Sequence, residues 1–400
     1  MSKQLDTYRK EVAAELDNIL SWWATHTVDE LYGGFIGRVN NANETDATAV
    51  KGSVLNSRIL WSFSAGYLLT KNERYLQLAE RAYRYIADCF IDREYGGVYW
   101  TVDNTGKPAD TKKQIYALSF AVYGLSEYYL ASGNEAAKTD AIALYHDIAM
   151  HSYDAVNGGF IEALTRNWEE IADLRLSAKD ANEKKSMNTH LHVLEGFANL
   201  YRIWPDVGLR AHIAELITLF TERIIDKTTY HLLLFFGNEW QVKSQTVSYG
   251  HDIEAAWLVQ EAAEIIQDDA LLKRIQPLSL AMADAASRGL DTDGGLWYEF
   301  EPADAHLLKE KHWWPQAEAM VGYFNAWQLS GKEAYLNASL SSWAFIQQHL
   351  LDKTNGEWFW GVREDYAVMP GEDKAGLWKC PYHNSRACIE IMKRIQQAPI

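Results

Sequence analysis

Three cysteines in 400 residues are too few, and Cys89, Cys380 and Cys388 too unevenly spaced, for a disulfide framework. A reducing cytoplasm suits such a chain. Proline is also scarce, with eight in all, and no Pro-rich or low-complexity stretch divides the chain. There is no run of about 18 apolar residues, so no segment is expected to span a membrane. The N-terminal stretch MSKQLDTYRKEVAAEL reads as a polar amphipathic helix without the apolar core of a signal peptide. Basic residues are outnumbered: 38 Lys and Arg against 54 Asp and Glu give a formal charge of −16. Without a basic stripe, nucleic acid and anionic membranes are poor partners. Several chemical signatures are missing too. There is no HExxH or cysteine cluster for a metal, no GxGxxG after a strand, no phosphate loop, and no GxSxG to present a serine nucleophile.

Aromatic residues are abundant, with 16 Trp, 22 Tyr and 13 Phe. Most serve as large core fillers; the remainder offer flat apolar surface with polar tips, the kind that stacks on sugar rings. An acidic, Trp-rich chain points to a neutral polar small molecule.

A glycine loop recurs: YGGFIGRV at 32–39, YGGVYWTV at 95–102, NGGFIEAL at 157–164, FGNEWQVK at 236–243, DGGLWYEF at 293–300 and NGEWFWGV at 355–362. Taking Gly33, Gly96, Gly158, Gly237, Gly294 and Gly356, the steps are 63, 62, 79, 57 and 62 residues, the mark of a repeat architecture. Between the loops, apolar residues recur at helical spacing, as in 56–69, 114–131 and 188–203. Each gap has room for about two helices, split by turns such as TKNERY at 70–75 and SGKEAY at 330–335. Six helix hairpins closed into a ring make an all-α (α/α)6 barrel, expected as a single domain over residues 1–400. Loops on one face of such a ring would bring distant residues together.

Residues three or four apart share a helix face. His251 and Glu254 in SYGHDIEAAW therefore lie together, as do Asn188, His192 and Glu195 in MNTHLHVLEG, and His383 and Arg386 in PYHNSRACIEI. His190 points nearly opposite His192, so this His-x-His pair cannot chelate a metal on a helix. His146, His190 and His349 read as structural histidines. Arg58 lies in an otherwise apolar helix, where a guanidinium needs an anion or several acceptors. Polar side chains on inner-ring helices are hard to explain by packing alone, which makes Arg58, Asn188, His192, His251, Glu254 and His383 candidates for one site. His251-x-x-Glu254 also resembles half of a metal-ligand pair.

In eight blocks taken in order, the chain resembles the N-acylglucosamine 2-epimerase superfamily, and in particular its cellobiose-epimerising branch. The blocks are GGFIGRV, KGSVLNSRILWSFSAGY, YGGVYWTVD, KQIYALSFAVYGLSEYY, SAKDANEKKSMNTHLHVLE, SYGHDIEAAWLV, KHWWPQAEAMVGY and EDKAGLWKCPYHNSRACIEI. The resemblance implies an (α/α)6 barrel and inversion at C2 of a free reducing sugar without metal or redox cofactor. By position it implies that His251 and His383 are the acid/base pair and that Arg58 and His192 bind and polarise the reacting end. It also implies that Tyr116, Asn188, Glu254 and Trp314 line the pocket, and that Asp180 and Trp378 hold the second sugar of a disaccharide. The expected substrate is a cellobiose-type β-1,4 disaccharide, and the expected protein a cytoplasmic monomer. A monosaccharide mannose/glucose 2-epimerase and an aldose–ketose isomerase are the alternatives of the same superfamily. A glycoside hydrolase and a non-catalytic sugar binder are the alternatives outside it. FFGNEW at 235–240 and the long segment EPADAHLLKEKHWW depart from the pattern on the side where a second sugar would dock.

Overall fold

The structure is a computed structural model and describes residues 3–397. Among the described residues the chain forms twelve α-helices: α1 (Lys3–His26), α2 (Ser53–Thr70), α3 (Glu73–Tyr85), α4 (Ile115–Ser132), α5 (Glu135–His151), α6 (Met187–Tyr201), α7 (Val207–Leu219), α8 (Tyr249–Ile265), α9 (Asp269–Ala286), α10 (Trp313–Ser330), α11 (Glu333–Phe345) and α12 (Tyr382–Gln397). The even-numbered helices pack side by side, each on the next, and α12 closes the ring onto α2. The odd-numbered helices lie outside them. The architecture is the (α/α)6 barrel.

Burial follows from composition. Ser53 to Gly66 of α2 and Ile115 to Tyr128 of α4 are buried without a break, and a helix apolar all round is stable only inside. α3 instead buries the stripe Tyr75, Ala79, Ala82, Tyr83 and Tyr85. Small residues let inner helices approach closely. A Cβ on Gly124 would stand 2.6 Å from the Ser57 carbonyl, and one on Gly196 2.6 Å from that of Ser119. Inner helices α2, α4 and α10 end at left-handed Lys71, Gly133 and Gly331. Asn72 and Asn134 then cap α3 and α5 through their side chains, which is the chemistry of the predicted turns.

Two-residue strands lead into the inner helices and pair antiparallel with the next unit: Lys51–Gly52 with Thr101–Val102, Lys113–Gln114 with Ala163–Leu164, Lys185–Ser186 with Phe235–Phe236, and Lys311–His312 with Gly361–Val362. Val247–Ser248 joins a wider sheet through Glu299–Glu301, which continues to His306–Leu308. A bridge between Val39 and Ala375 closes the circle. All six N-termini of the inner helices thus open at one end of the barrel, under a crown of loops.

Five of the six loops are tied to their barrel positions by a buried lysine. Asp29 pairs with Lys51 at 2.6 Å, Asp92 with Lys113 at 2.9 Å, Asp154 with Lys185 at 2.8 Å, Asp291 with Lys311 at 2.8 Å and Asp352 with Lys374 at 2.7 Å. Removing one partner would strand a buried charge, so these locks specify loop position more than they add net stability. The fourth unit is different and corrects the glycine count. Its loop closes at the bridge Ile225–Leu232, not at Gly237. Tyr230, with φ of 62°, takes the left-handed turn position there, while Gly237 opens a second turn with Trp240 and Gln241. Counted by the bridges that start at Val28, Ile91, Tyr153, Ile225, Leu290 and Leu351, the period becomes 63, 62, 72, 65 and 61 residues. The longest step contains the loop that carries Asp180. No helix among the described residues is long and apolar enough to cross a membrane.

Candidate active site

The inner-helix N-termini surround a cavity of about 550 Å³, and all ten residues singled out from the sequence line it. The α2 side supplies Arg58, which is 3% exposed. One terminal nitrogen donates to the Tyr116 hydroxyl at 2.7 Å and the other to Cys380 Sγ at 3.8 Å. Its guanidinium carbon lies 4.0 Å from the Phe120 ring centre and 4.9 Å from that of Tyr382. Its Nε has no hydrogen-bond partner, and its neighbours are neutral. A cation buried this way is poised to receive negative charge.

Three histidines present their Nδ1 atoms to the wall. On α6, His192 Nδ1 bonds Glu195 Oε2 at 2.9 Å. On α8, His251 Nδ1 bonds the Ser248 hydroxyl at 2.8 Å. On α12, His383 Nδ1 bonds Glu318 Oε1 at 2.7 Å. Trp314 packs on both outer histidines, 4.6 Å from His251 and 5.8 Å from His383 between ring centres. Burial pushes all three imidazoles below their ordinary range. His251 comes to about 3, with His192 adding to the effect, and Arg58 and Arg386 add to the lowering at His383.

Behind them lies a network around Arg386. It bonds Glu254 Oε1 at 2.7 Å and Glu318 Oε1 at 2.6 Å, and also Glu195. Tyr382 donates to Glu195 as well, and Trp257 Nε1 donates to Glu318 Oε2 at 3.2 Å. Burial works to raise Glu195, but Arg386 and His192 overcome it and hold the carboxyl at about 2. Burial and the neighbouring Glu318 push Glu254 up, and burial pushes Glu318 up against the pull of Arg386. Glu254, Glu318 and His383 stand close enough together for a metal, but the Arg386 guanidinium already supplies the positive charge between the two carboxylates.

Glu254, one turn from His251, could either fix that histidine or support a neighbouring one, and the structure places it on the side of His383. Glu254 faces Arg386 and lies 3.9 Å from His383 Nδ1; Ser248 holds His251. The Glu195 partnership of His192 agrees with their shared helix face. His190 bonds Ser186 O and Phe160 N, a structural role as expected. Arg386, Glu318, Glu195 and Ser248 were not among the candidate site residues, although the shared helix faces of His192 with Glu195 and of His383 with Arg386 hinted at two of them.

Trp378 stands 5.7 Å from Trp100 and 6.1 Å from Tyr116 between ring centres. Asp180 sits in the 174–181 wall, where its carboxylate accepts from Ser177 N at 2.8 Å. Half-buried Asn188 has a buried, unpartnered carbonyl oxygen at the cavity.

The barrel and its histidine-lined mouth define a carbohydrate isomerase of the epimerase type. The model of the N-acylglucosamine 2-epimerase (GlcNAc 2-epimerase) family matches residues 34–387, and the chain belongs to this family. It is 51% identical to the cellobiose 2-epimerase of Bacteroides fragilis, over 96% of this chain and 98% of that one. The cellobiose 2-epimerase structure from Bacillus thermoamylovorans superposes with a TM-score of 0.93 at 38% identity, covering 97% of this chain and 100% of that one. The cellobiose 2-epimerase structure from Spirochaeta thermophila superposes with a TM-score of 0.93 at 36% identity, covering 98% of each chain.

Proposed function

We propose that this enzyme epimerises the reducing-end glucose of cellobiose-type β-1,4 disaccharides to mannose, through an enediolate and two histidines. The observation that carries the reading is the pair His251 and His383, whose Nδ1 atoms are both committed to the wall, beside an Arg58 that has no carboxylate. The similarity to cellobiose 2-epimerases supports the substrate.

The hydrogen next to an aldehyde is weakly acidic, and imidazole is the side chain whose basicity matches its removal near neutral pH. Arg386 and Trp257 already donate to Glu318, so Glu318 accepts from His383 Nδ1 and leaves the Nε2 lone pair as the base. His383 takes H2 from the glucose-configured sugar. The C2–H electron pair becomes the C1=C2 bond and the carbonyl pair moves onto O1, where Arg58 stabilises the charge, an interaction of the kind worth about 3–4 kcal/mol. His251 acts as the imidazolium, its proton affinity raised against burial by the adjacent enediolate charge. With Nδ1–H donating to Ser248, it passes its Nε2 proton to the opposite face of C2 and is left neutral. The enzyme resets when His383 loses its proton and His251 regains one, and the reverse reaction exchanges their roles. Tyr116 and His192 orient the reacting end. Trp378 and Asp180 hold the second ring.

Hydrolysis needs two carboxylates free to flank a glycosidic oxygen, whereas Glu254 and Glu318 are both engaged by Arg386. Incubation with cellobiose followed by chromatography tests the proposal. Glucosylmannose is the expected product. Free glucose would support a hydrolase, and unchanged cellobiose would support a sugar binder.

A further inference from the structure

The six crown loops share one position, the residue immediately before the bridging residue on the return strand. In four units it is glycine: Gly34 before Phe35, Gly97 before Val98, Gly159 before Phe160 and Gly295 before Leu296. The space explains the choice. A Cβ would come within 2.5 Å of Tyr85 at Gly34, 2.9 Å of Trp168 at Gly97, 2.5 Å of His190 at Gly159 and 2.7 Å of Lys311 at Gly295. The other two units carry His231 before Leu232 and Glu357 before Trp358. Glu357 keeps the left-handed backbone of Gly34, Gly97 and Gly159, with φ of 60°, a conformation that non-glycine residues disfavour. Such an outlier persists only where its surroundings hold it.

Both side chains are buried and reach the head of the neighbouring inner helix. His231 Nδ1 bonds Asp252 Oδ2 at 2.7 Å, and Asp252 Oδ1 accepts from Leu232 N at 2.8 Å. Arg288 approaches His231 Nε2 at 3.5 Å. Glu357 Oε1 accepts from Asn384 Nδ2 at 2.7 Å, Lys379 Nζ at 2.8 Å and Trp358 N at 3.0 Å, and Oε2 accepts from Trp23 Nε1 at 2.7 Å. Asp252 directly follows His251, and Asn384 directly follows His383. The two loops that abandon glycine are therefore the two beside α8 and α12, the helices carrying the proposed acid/base pair. In both, the new side chain grips the residue next to the histidine.

We infer that His231 and Glu357 are paired positioning residues, each fixing the first turn of one helix so that its histidine meets C2. This rests on the proposed two-histidine reaction. An ångström-scale misplacement of a reacting group costs about 100-fold at the extreme, so losing either grip should lower kcat about 10- to 100-fold and move KM little.

The test compares His231→Gly and Glu357→Gly, which restore the residue of the other loops, with His251→Asn and His383→Asn, by loss of the C2 hydrogen from each epimer in deuterated water. The His231 variant should share the epimer bias of His251→Asn, and the Glu357 variant the opposite bias of His383→Asn. His231→Gln and Glu357→Gln keep a polar group within reach of the following residue and should recover most of the rate. Equal losses from both epimers in both glycine variants, or unchanged exchange in either, would overturn the inference while leaving the two-histidine reaction intact. If His251→Asn or His383→Asn itself stays fully active, the reaction fails and the inference falls with it.

Discussion

One terminal nitrogen of Arg386 stands 2.7 Å from Glu254 Oε1 and 2.6 Å from Glu318 Oε1, directly behind His383. Two buried carboxylates and an imidazole would otherwise make an inviting seat for a divalent cation. The guanidinium takes that role, and it shares Glu318 Oε1 with His383 Nδ1. Prolonged treatment with EDTA should therefore leave turnover intact. Loss of activity that a divalent ion restores would contradict proton transfer by the histidines alone.

Arg58→Lys should be a severe change. Arg58 spreads donors to Tyr116 and Cys380 while its plane faces Phe120, an arrangement that a compact ammonium cannot copy. The loss should fall on kcat, by about 10²- to 10³-fold, with KM little changed. Near-normal turnover would remove Arg58 from the charge-stabilising role.

Trp378→Ala should separate disaccharide from monosaccharide use. Its ring lines the cavity between Trp100 and Tyr116, and under the proposed disaccharide reading stacking there matters when a second ring is present. The kcat/KM for cellobiose should fall by about tenfold, the equivalent of about 1.4 kcal/mol, and the value for glucose should hold. Equal losses would move Trp378 to the reacting sugar or to the fold.

The barrel was legible because its repeat is written in local chemistry: apolar inner helices, asparagine caps and glycine turns. The count slipped in the fourth unit, where Tyr230 rather than glycine holds the positive φ; the mark that persists there is Asp226, which follows the bridging residue as an aspartate does in the other five loops. The site residues lie near helix starts, which periodicity can locate. Their partners cannot be found that way, since Arg386 meets Glu318 across 68 residues and Glu195 across 191. Ser248 was missed for another reason. It precedes the helix proper, and helical spacing offered Glu254.

The buried histidines should withdraw their contribution to stability as pH falls from neutrality, opposed by buried carboxyls held high, such as Glu254 and Glu162. Burial lowers His190 to about 4 and His251 to about 3, while the unfolded chain protonates near about 6.5. The unfolded state therefore takes up protons first, and each histidine's contribution is complete above about pH 6.5 and lost progressively below it. The slope is at most about 1.4 kcal/mol per pH unit for each group. Glu195, held at about 2 against an ordinary 4.5, extends the same sign to lower pH, its contribution being lost between those values. Ring titration of His190 and His251 by NMR in the folded protein checks this, because denaturant unfolding would add in buried carboxyls such as Glu254 that are shifted the opposite way; protonation of either ring at about pH 6.5 would overturn it.

The sharpest test concerns His251 and His383, which reach the cavity from α8 and α12 and are held by unlike partners, a hydroxyl and a carboxylate. If each serves one face of C2, product formed in deuterated water gains one deuterium at C2, because the donating imidazole exchanges with solvent before it delivers. His251→Asn and His383→Asn should each lower epimerisation by about 10²- to 10⁴-fold. Neither should abolish exchange altogether, since the surviving histidine still removes H2 from the epimer it faces. The two variants should therefore wash out the C2 hydrogen from opposite epimers. The same preference in both would mean that a single base serves both faces, with the planar intermediate turning over between removal and return of the proton.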